Sequence, residues 1–95
     1  MTSHLLHIPV SLKSEADLHI LLANIPSSVD EVIADFTDTK EVSESLCEQL
    51  VETITVQRGL DLNIRQPSSL ASIYLRGAVG KFKSFDKVTF YAYSY

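Results

Sequence analysis

The sequence is poor in cysteine and in long apolar runs, and both shortages limit what the protein can be. A single cysteine, Cys47, excludes an intramolecular disulfide framework and a zinc site built from cysteines. No apolar run approaches the roughly 20 residues that span a bilayer, and no basic and apolar leader opens the chain. We therefore expect a cytoplasmic protein with no membrane partner. Its 95 residues, 45% of them hydrophobic, predict one ordered domain over residues 1–95.

Basic residues are also scarce, with eight Lys and Arg against twelve Asp and Glu and a formal net charge of −4. This charge argues against nucleic acid as a partner, because such a site needs a cationic surface against the phosphates. Residues 1–61 contain eleven acidic and three basic residues, whereas residues 62–95 contain one acidic and five basic residues. This uneven distribution of charge either steers a charged protein partner or reflects two solvated faces that differ in charge.

The first two elements are a strand and a helix. Apolar residues at every second position predict a strand over residues 4–12, and Pro9 would confine it to a sheet edge or mark a bulge. Ser14 begins a helix with a sequence that resembles a capping box, and Asn24 and Pro26 end it. The apolar face of that helix contains Leu18, Leu21, Leu22 and Ile25.

Residues 29–37 fit two structures, and the fold depends on which one forms. Their apolar side chains recur with helical spacing, at Val29, Val32, Ile33 and Phe36. The short apolar block 32–36 is equally typical of a buried strand, because the run Thr37-Asp38-Thr39 after it resembles a loop. Periodicity alone favours a helix by a small margin.

A longer helix is predicted from Glu41 to Arg58, with Gly59 just past its end. Its apolar face contains Val42, Leu46, Leu50 and Ile54, widened by Cys47 and Val51. The β-branched run 53–56 leaves a hairpin turning at Arg58 and Gly59 as an alternative, which the lack of turn residues before Thr53 disfavours. A strand is then predicted over 60–65, followed by a helix from Leu70 that ends at Gly77 or Gly80.

The run VIADFTDTKEVSESLCEQL at residues 32–50 resembles the centre of STAS-type domains, the anti-sigma-factor-antagonist superfamily. It is most similar to the small bacterial STAS-like group of unassigned function. In these domains an apolar strand ends near Asp-Phe, a short loop carries serines, and a helix follows. The later pieces match as well: Gly59, the strand LDLNIRQ, a Pro-Ser junction and the helix SSLASIYL. The resemblance covers about residues 4–80 and implies that residues 31–37 form a strand.

A strand at 31–37 produces the order β-α-β-α-β-α, whose right-handed crossovers cover a mostly parallel sheet on one or both faces. We therefore predict an α/β fold. Residues 87–95 alternate and predict a C-terminal edge strand, with Tyr91, Tyr93 and Tyr95 lining one face as a packing surface or an interface. STAS-type domains begin with two strands, so the resemblance implies that this strand lies beside residues 4–12.

The resemblance also implies a function, that of a non-enzymatic signalling module binding a kinase-like ATPase or an anti-sigma-type regulator. In STAS-type regulators the loop at the helix start carries a phosphorylatable serine within an Asp-Ser-Ser-Gly run. The four positions of that run are occupied here by Ser43, Glu44, Ser45 and Leu46. This alignment places Glu44 at the phosphate-acceptor position. The phosphorylation candidates are Ser43 and Ser45. The implied partner-binding residues are Thr39, Glu41, Ser43, Glu44, Ser45 and Glu48.

Two further interpretations of this segment come from physical chemistry. Residues such as Asp38, Thr39 and Ser43 near a helix start are typical N-caps, which accept hydrogen bonds from free backbone N–H groups. The spacing of the acidic residues predicts an acidic ridge on one helical face, formed by Glu41, Glu44, Glu48 and Glu52. Like charges at these spacings oppose helix formation, so the ridge is either a binding site or a solubilising surface.

Signals of catalysis are weak, and we expect no enzyme activity, metal or cofactor. His4 and His7 point to opposite faces of a strand and make no metal pair. The glycines of 77–81 are two residues short of a phosphate-loop pattern, and Cys47 faces the core as an unreactive thiol. The alternative function is a small acidic inhibitor or immunity-type protein that blocks an enzyme by charge complementarity.

Overall fold

The computed structural model describes residues 2–91, which form an α/β fold as the sequence predicts. Residues 92–95, with Tyr93 and Tyr95 of the tyrosine stripe, lie outside the described residues. In chain order the elements are β1 Ser3–His7, β2 Ser11–Leu12, α1 Glu15–Ala23, β3 Glu31–Asp35, β4 Glu41–Val42, α2 Glu44–Val51, a π-helical segment Glu52–Gln57, β5 Asp61–Arg65, α3 Ser69–Phe82 and β6 Val88–Tyr91.

The main sheet is parallel throughout, with the strand order β1-β3-β5-β6. Each helical connection leads to the next strand along the sheet, always in the same direction. Because such connections are right-handed, the three helices lie on one face of the sheet. The interior lies between that face and the helices and contains, among others, Leu6, Val32, Ala34, Leu62 and Ile64. The other face carries Leu5, 50% exposed, and other exposed side chains, and no helix of residues 2–91 covers it, so we call it the open face.

The C-terminal strand lies at a sheet edge, as predicted, but the predicted neighbour is wrong. β6 pairs with β5, from Leu62 opposite Val88 to Arg65 opposite Tyr91, whereas β1 forms the opposite edge. The crossover through α3 returns the chain beside the strand it has just left, which is the short, right-handed connection that parallel sheets favour. The resemblance to STAS-type domains had implied that the C-terminal strand lies beside residues 4–12, and it did not take this connection rule into account.

Pro9 divides the predicted strand 4–12 into two pieces. β1 ends at His7 and forms the sheet edge, whereas β2 pairs in parallel with β4 in a separate two-stranded sheet. Proline has no N–H to donate to a ladder, so a continuous strand through residue 9 is disfavoured. At residues 31–35 the strand prediction is confirmed, since Val32 and Ala34 are fully buried.

The predicted helix from Glu41 to Arg58 is helical over most of its length, which excludes the hairpin, but its start is wrong. Glu41 and Val42 form β4, and α2 begins at Glu44 after the N-cap Ser43. The helix then becomes π-helical from Glu52. Within this segment Thr55 Oγ1 donates to the carbonyl of Val51 at 2.8 Å, so a side chain bonds the i−4 acceptor that a backbone N–H would use in an α-helix.

Gly59, with φ +64°, follows this segment as predicted, but the predicted end of the next helix is wrong. α3 runs through Gly77 and Gly80 to Phe82, and Lys83 ends it in the left-handed conformation with φ 55°. Ala78 and Val79, which lie between the two glycines in the sequence, are buried. Packing of this last turn outweighs the cost of about 1 kcal/mol that a glycine imposes within a helix.

Candidate functional site

The loop between β3 and α2 is held firmly in place by residues of the β1–β2 connection. Thr39 Oγ1 donates to the carbonyl of Ile8 at 3.0 Å, and the N–H groups of Lys40 and Glu41 donate to the carbonyl of Val10 at 2.8 and 3.1 Å. The N–H of Ser43 then donates to the carbonyl of Leu12 at 3.2 Å. The backbone leading into α2 therefore has little freedom.

The structure separates the predicted site residues into buried and exposed groups. Thr39 is only 7% exposed, so its hydroxyl fixes the loop and is not presented to a partner. Ser43 Oγ accepts from the N–H of Leu46 at 3.1 Å, which is the capping role proposed from the sequence. Glu44 and Ser45 are exposed in the first turn of α2. Of the two phosphorylation candidates, Ser45 is the accessible one.

The predicted ridge of four glutamates does not form along one helix. Glu41 lies in β4 and pairs with Lys13 at 2.6 Å, a contact that lowers the pKa of its carboxyl group. Glu48 is half-buried and pairs with Lys81 at 3.0 Å. Glu52 lies in the π-helical segment. Among the residues from 2 to 91, Glu44 is the ridge member at the start of α2 that is exposed and has no ion pair.

Cys47 is fully buried one turn into α2, as predicted. Burial, and then the negative charges of Glu44 and Glu48, raise the pKa of its thiol to about 12. A thiol in this state is protonated at neutral pH and is a poor nucleophile. Cys47 is therefore part of the core.

We expect Cys47 to react with Ellman's reagent at pH 8 roughly 100-fold more slowly in the native protein than in urea, because reaction requires local opening. The absorbance at 412 nm measures the rate directly, since the chain has one cysteine. The double variant Cys47→Ala, Val56→Cys is the control, because Val56 is 53% exposed and a cysteine there should react at once. Fast reaction of native Cys47 would contradict its burial.

A second polar cluster lies on the open face, and sequence reasoning missed it. The parallel register aligns His7, Asp35, Arg65 and Tyr91 in one row at the carboxyl ends of the four strands. His7 Nδ1 lies 3.6 Å from Asp35 Oδ2. Two hydrogen bonds from Thr37, followed by the charges of His7 and Arg65, lower the pKa of Asp35. Each of the four residues closes a strand, and only the register brings them together.

Asn63 lies in β5 two residues before Arg65, so its side chain is on the same face of the sheet. It is in register with Ile33 of β3 and Thr89 of β6. It is 8% exposed, and its Oδ1 has no hydrogen-bond partner among the described residues. Buried polar atoms are almost always paired, so this oxygen is an exception within the fold. No sequence signal distinguished Asn63 from the other polar residues that alternate in β5.

Comparison with family models, with curated proteins and with solved structures found no match. Within residues 2–91, no helix has both the length and the apolar character needed to cross a membrane.

Proposed function

We propose that this protein is a non-enzymatic regulatory module, similar to an anti-sigma factor antagonist, that binds a kinase-like ATPase or an anti-sigma-type regulator. Its binding surface would be the exposed part of residues 39–50, above all Glu44 and Ser45 in the first turn of α2. The observation that supports this best is that Glu44 and Ser45 are exposed on a backbone held by hydrogen bonds on both sides. We also propose that it acts in the cytoplasm, where such partners work.

Rigidity supports a recognition role for this surface. The bond from Thr39 to the carbonyl of Ile8 and the Ser43 cap hold the two ends of the segment before any partner arrives. Binding then orders few additional groups, which removes part of the entropic cost of association. Leu46 and Cys47, both buried, hold the first turn of α2 against the sheet, so that the exposed side chains keep a fixed direction.

Charge supports a basic partner surface. The carboxylates of Glu41 and Glu48 already have lysine partners, whereas Glu44 has no ion pair within the described residues 2–91. The excess of acidic residues in 1–61 would attract a basic partner at long range. Ser45 beside Glu44 is where phosphorylation would add further negative charge, favourable at the start of a helix and repelled by the neighbouring carboxylate.

We expect Glu44→Lys to leave the fold intact and to slow association with the partner, with an effect that decreases as salt rises. The partner is first captured from the native host with the unaltered protein and identified by mass spectrometry. Association rates are then measured by biolayer interferometry at two ionic strengths. Asp61→Lys is the matched control, because Asp61 is exposed in β5 and its reversal changes the net charge by the same amount.

An unchanged association rate for Glu44→Lys would show that α2 is not the interface, and the proposed function would fail. Equal slowing by Asp61→Lys would show that net charge, and not the α2 surface, controls association. Capture of an enzyme that loses its activity in the complex would instead support the inhibitor function that the acidic composition allows.

A further inference from the structure

The free edge of β6 borders an apolar groove that nothing in the described residues covers. The groove has a volume of about 250 Å³ and lies between α3 and β6. Its lining consists of Arg76, Val79, Phe85, Val88 and Phe90. Phe85 is 70% exposed, an unusual state for a phenylalanine beside other apolar side chains.

The backbone of β6 is available on this side. The carbonyls of Lys87 and Tyr91 accept hydrogen bonds from Leu62 and Gln66, both at 2.8 Å, so these odd-numbered positions face β5. In a parallel ladder successive residues alternate in direction, which turns the N–H and C=O groups of Val88 and Phe90 to the free edge. The side chains of the same two residues line the groove. Edge and groove therefore form one continuous surface.

The charged residue in the lining of the groove is Arg76. Arg76 lies over the ring of Phe90, with its guanidinium carbon 4.3 Å from the ring centroid, and its Nε donates to Ser72 Oγ at 3.2 Å. Stacking and this bond orient the exposed guanidinium, whose two terminal nitrogens have no partner among residues 2–91. Lys83 and Lys87 lie in the same part of the chain, with Asp86 as the one acidic residue after position 61.

We propose that this surface binds an extended acidic peptide segment of a partner protein, which adds to the sheet as a fifth strand beside β6. Main-chain hydrogen bonds to Val88 and Phe90 supply affinity, as in other cases of strand addition. On the groove side the peptide presents one apolar residue to Phe85 and, two positions away, a carboxylate to Arg76, because strand side chains alternate with a period of two. A second copy of this chain is a poorer occupant, since two basic edges would face each other. This proposal does not depend on the α2 surface.

The specificity is tested by selecting from a display library of random seven-residue peptides with the full-length protein. We expect enrichment of an apolar residue and an Asp or Glu separated by one position. We also expect depletion of proline, which lacks the N–H needed for strand pairing. Selection of apolar residues at helical spacing, of basic peptides, or of no motif would overturn the proposal.

The mechanism is tested with the most enriched peptide by fluorescence anisotropy. Arg76→Glu should weaken binding by about tenfold or more, and a peptide with lysine in place of its acidic residue should then bind this variant better. Lys83→Glu makes the same charge change outside the groove and should have a much smaller effect. Methylation of alternate peptide amides should abolish binding to the unaltered protein, because it removes the backbone donors.

Three results would overturn the proposal. Equal binding of the methylated peptide would exclude strand addition, and equal loss with both charge reversals would exclude a specific role for Arg76. Sedimentation equilibrium of the protein alone gives the third: a dimer that dissociates with Phe85→Ala would identify a second copy as the occupant. The charge-swapped peptide separates loss of the site from loss of folding, because an unfolded Arg76→Glu variant would bind neither peptide.

Discussion

A chain that ends at Phe85, after deletion of residues 86–95, is expected to be largely unfolded at 25 °C. The deletion removes β6 and with it the ladder along β5, including the bonds from Leu62 and Gln66 to the carbonyls of Lys87 and Tyr91. It also removes the Val88 and Phe90 side chains, which pack against the core. Full burial of an apolar side chain contributes about 1.5–3 kcal/mol, an upper limit for the half-buried Val88 and Phe90, and net hydrogen bonds contribute about 0.5–1.5 kcal/mol each. Their sum is comparable with the total stability of a small domain, about 5–15 kcal/mol.

Far-UV circular dichroism and urea unfolding measure this effect. A chain that ends at Tyr91 is the control, because it keeps every residue of β6 and separates this strand from residues 92–95. The shorter chain should lose its cooperative transition while the control keeps one. Equal melting of the full chain and the chain that ends at Phe85 would mean that β6 does not contribute to the core.

Leu18→Ala should destabilise the fold by about 2–5 kcal/mol, whereas Ile20→Ala should change the free energy of unfolding by less than about 0.5 kcal/mol. The two residues lie two positions apart in α1, but Leu18 is fully buried and Ile20 is 62% exposed. Truncation at Leu18 leaves a cavity in a closely packed interior. At Ile20 the small loss of apolar contact is offset by the higher helix propensity of alanine.

Urea unfolding followed by circular dichroism gives both values in the same experiment. Each 1 kcal/mol corresponds to roughly 4–8 °C in Tm for a domain of this size, so the Leu18 variant should melt at least about 8 °C below the parent protein. Because both variants shorten an aliphatic side chain in one helix, their difference isolates burial. Similar losses for the two would contradict the orientation of α1 in the structure.

Local chemistry was sufficient for several helices and strands, but the class of fold depended on residues 29–37, where periodicity alone favoured a helix. The apolar spacing at Leu18 and Leu50 identified helices, Ser14 is the N-cap that its position indicated, and Ser43 is the one of three N-cap candidates that caps α2. For residues 29–37, helical spacing competed with the pattern of a buried strand, and pairing with two neighbouring strands decided for the strand. Helix, strand and turn signals act over a few residues, which is why the sequence contains them.

For the candidate site, the sequence identified residues but not their environments. Glu41 and Glu48 looked equivalent to Glu44 by spacing, yet distant lysines neutralise the first two and leave the third free of an ion pair among residues 2–91. Thr39 looked like a contact residue and is instead buried against the carbonyl of Ile8. These outcomes depend on segments about 30 residues apart in the chain.

By itself, the sequence determined the acidic composition, the helices around Leu18 and Leu50 and the strand at 60–65, since composition and periodicity are local properties. The tertiary structure alone decided that β6 lies beside β5, that the helices of the described residues leave one sheet face uncovered, and that His7, Asp35, Arg65 and Tyr91 share a row. It also decided that an apolar groove with Arg76 in its lining borders the edge of β6. The physical reason is that strand order and register result from packing between distant segments, which no short window of sequence contains.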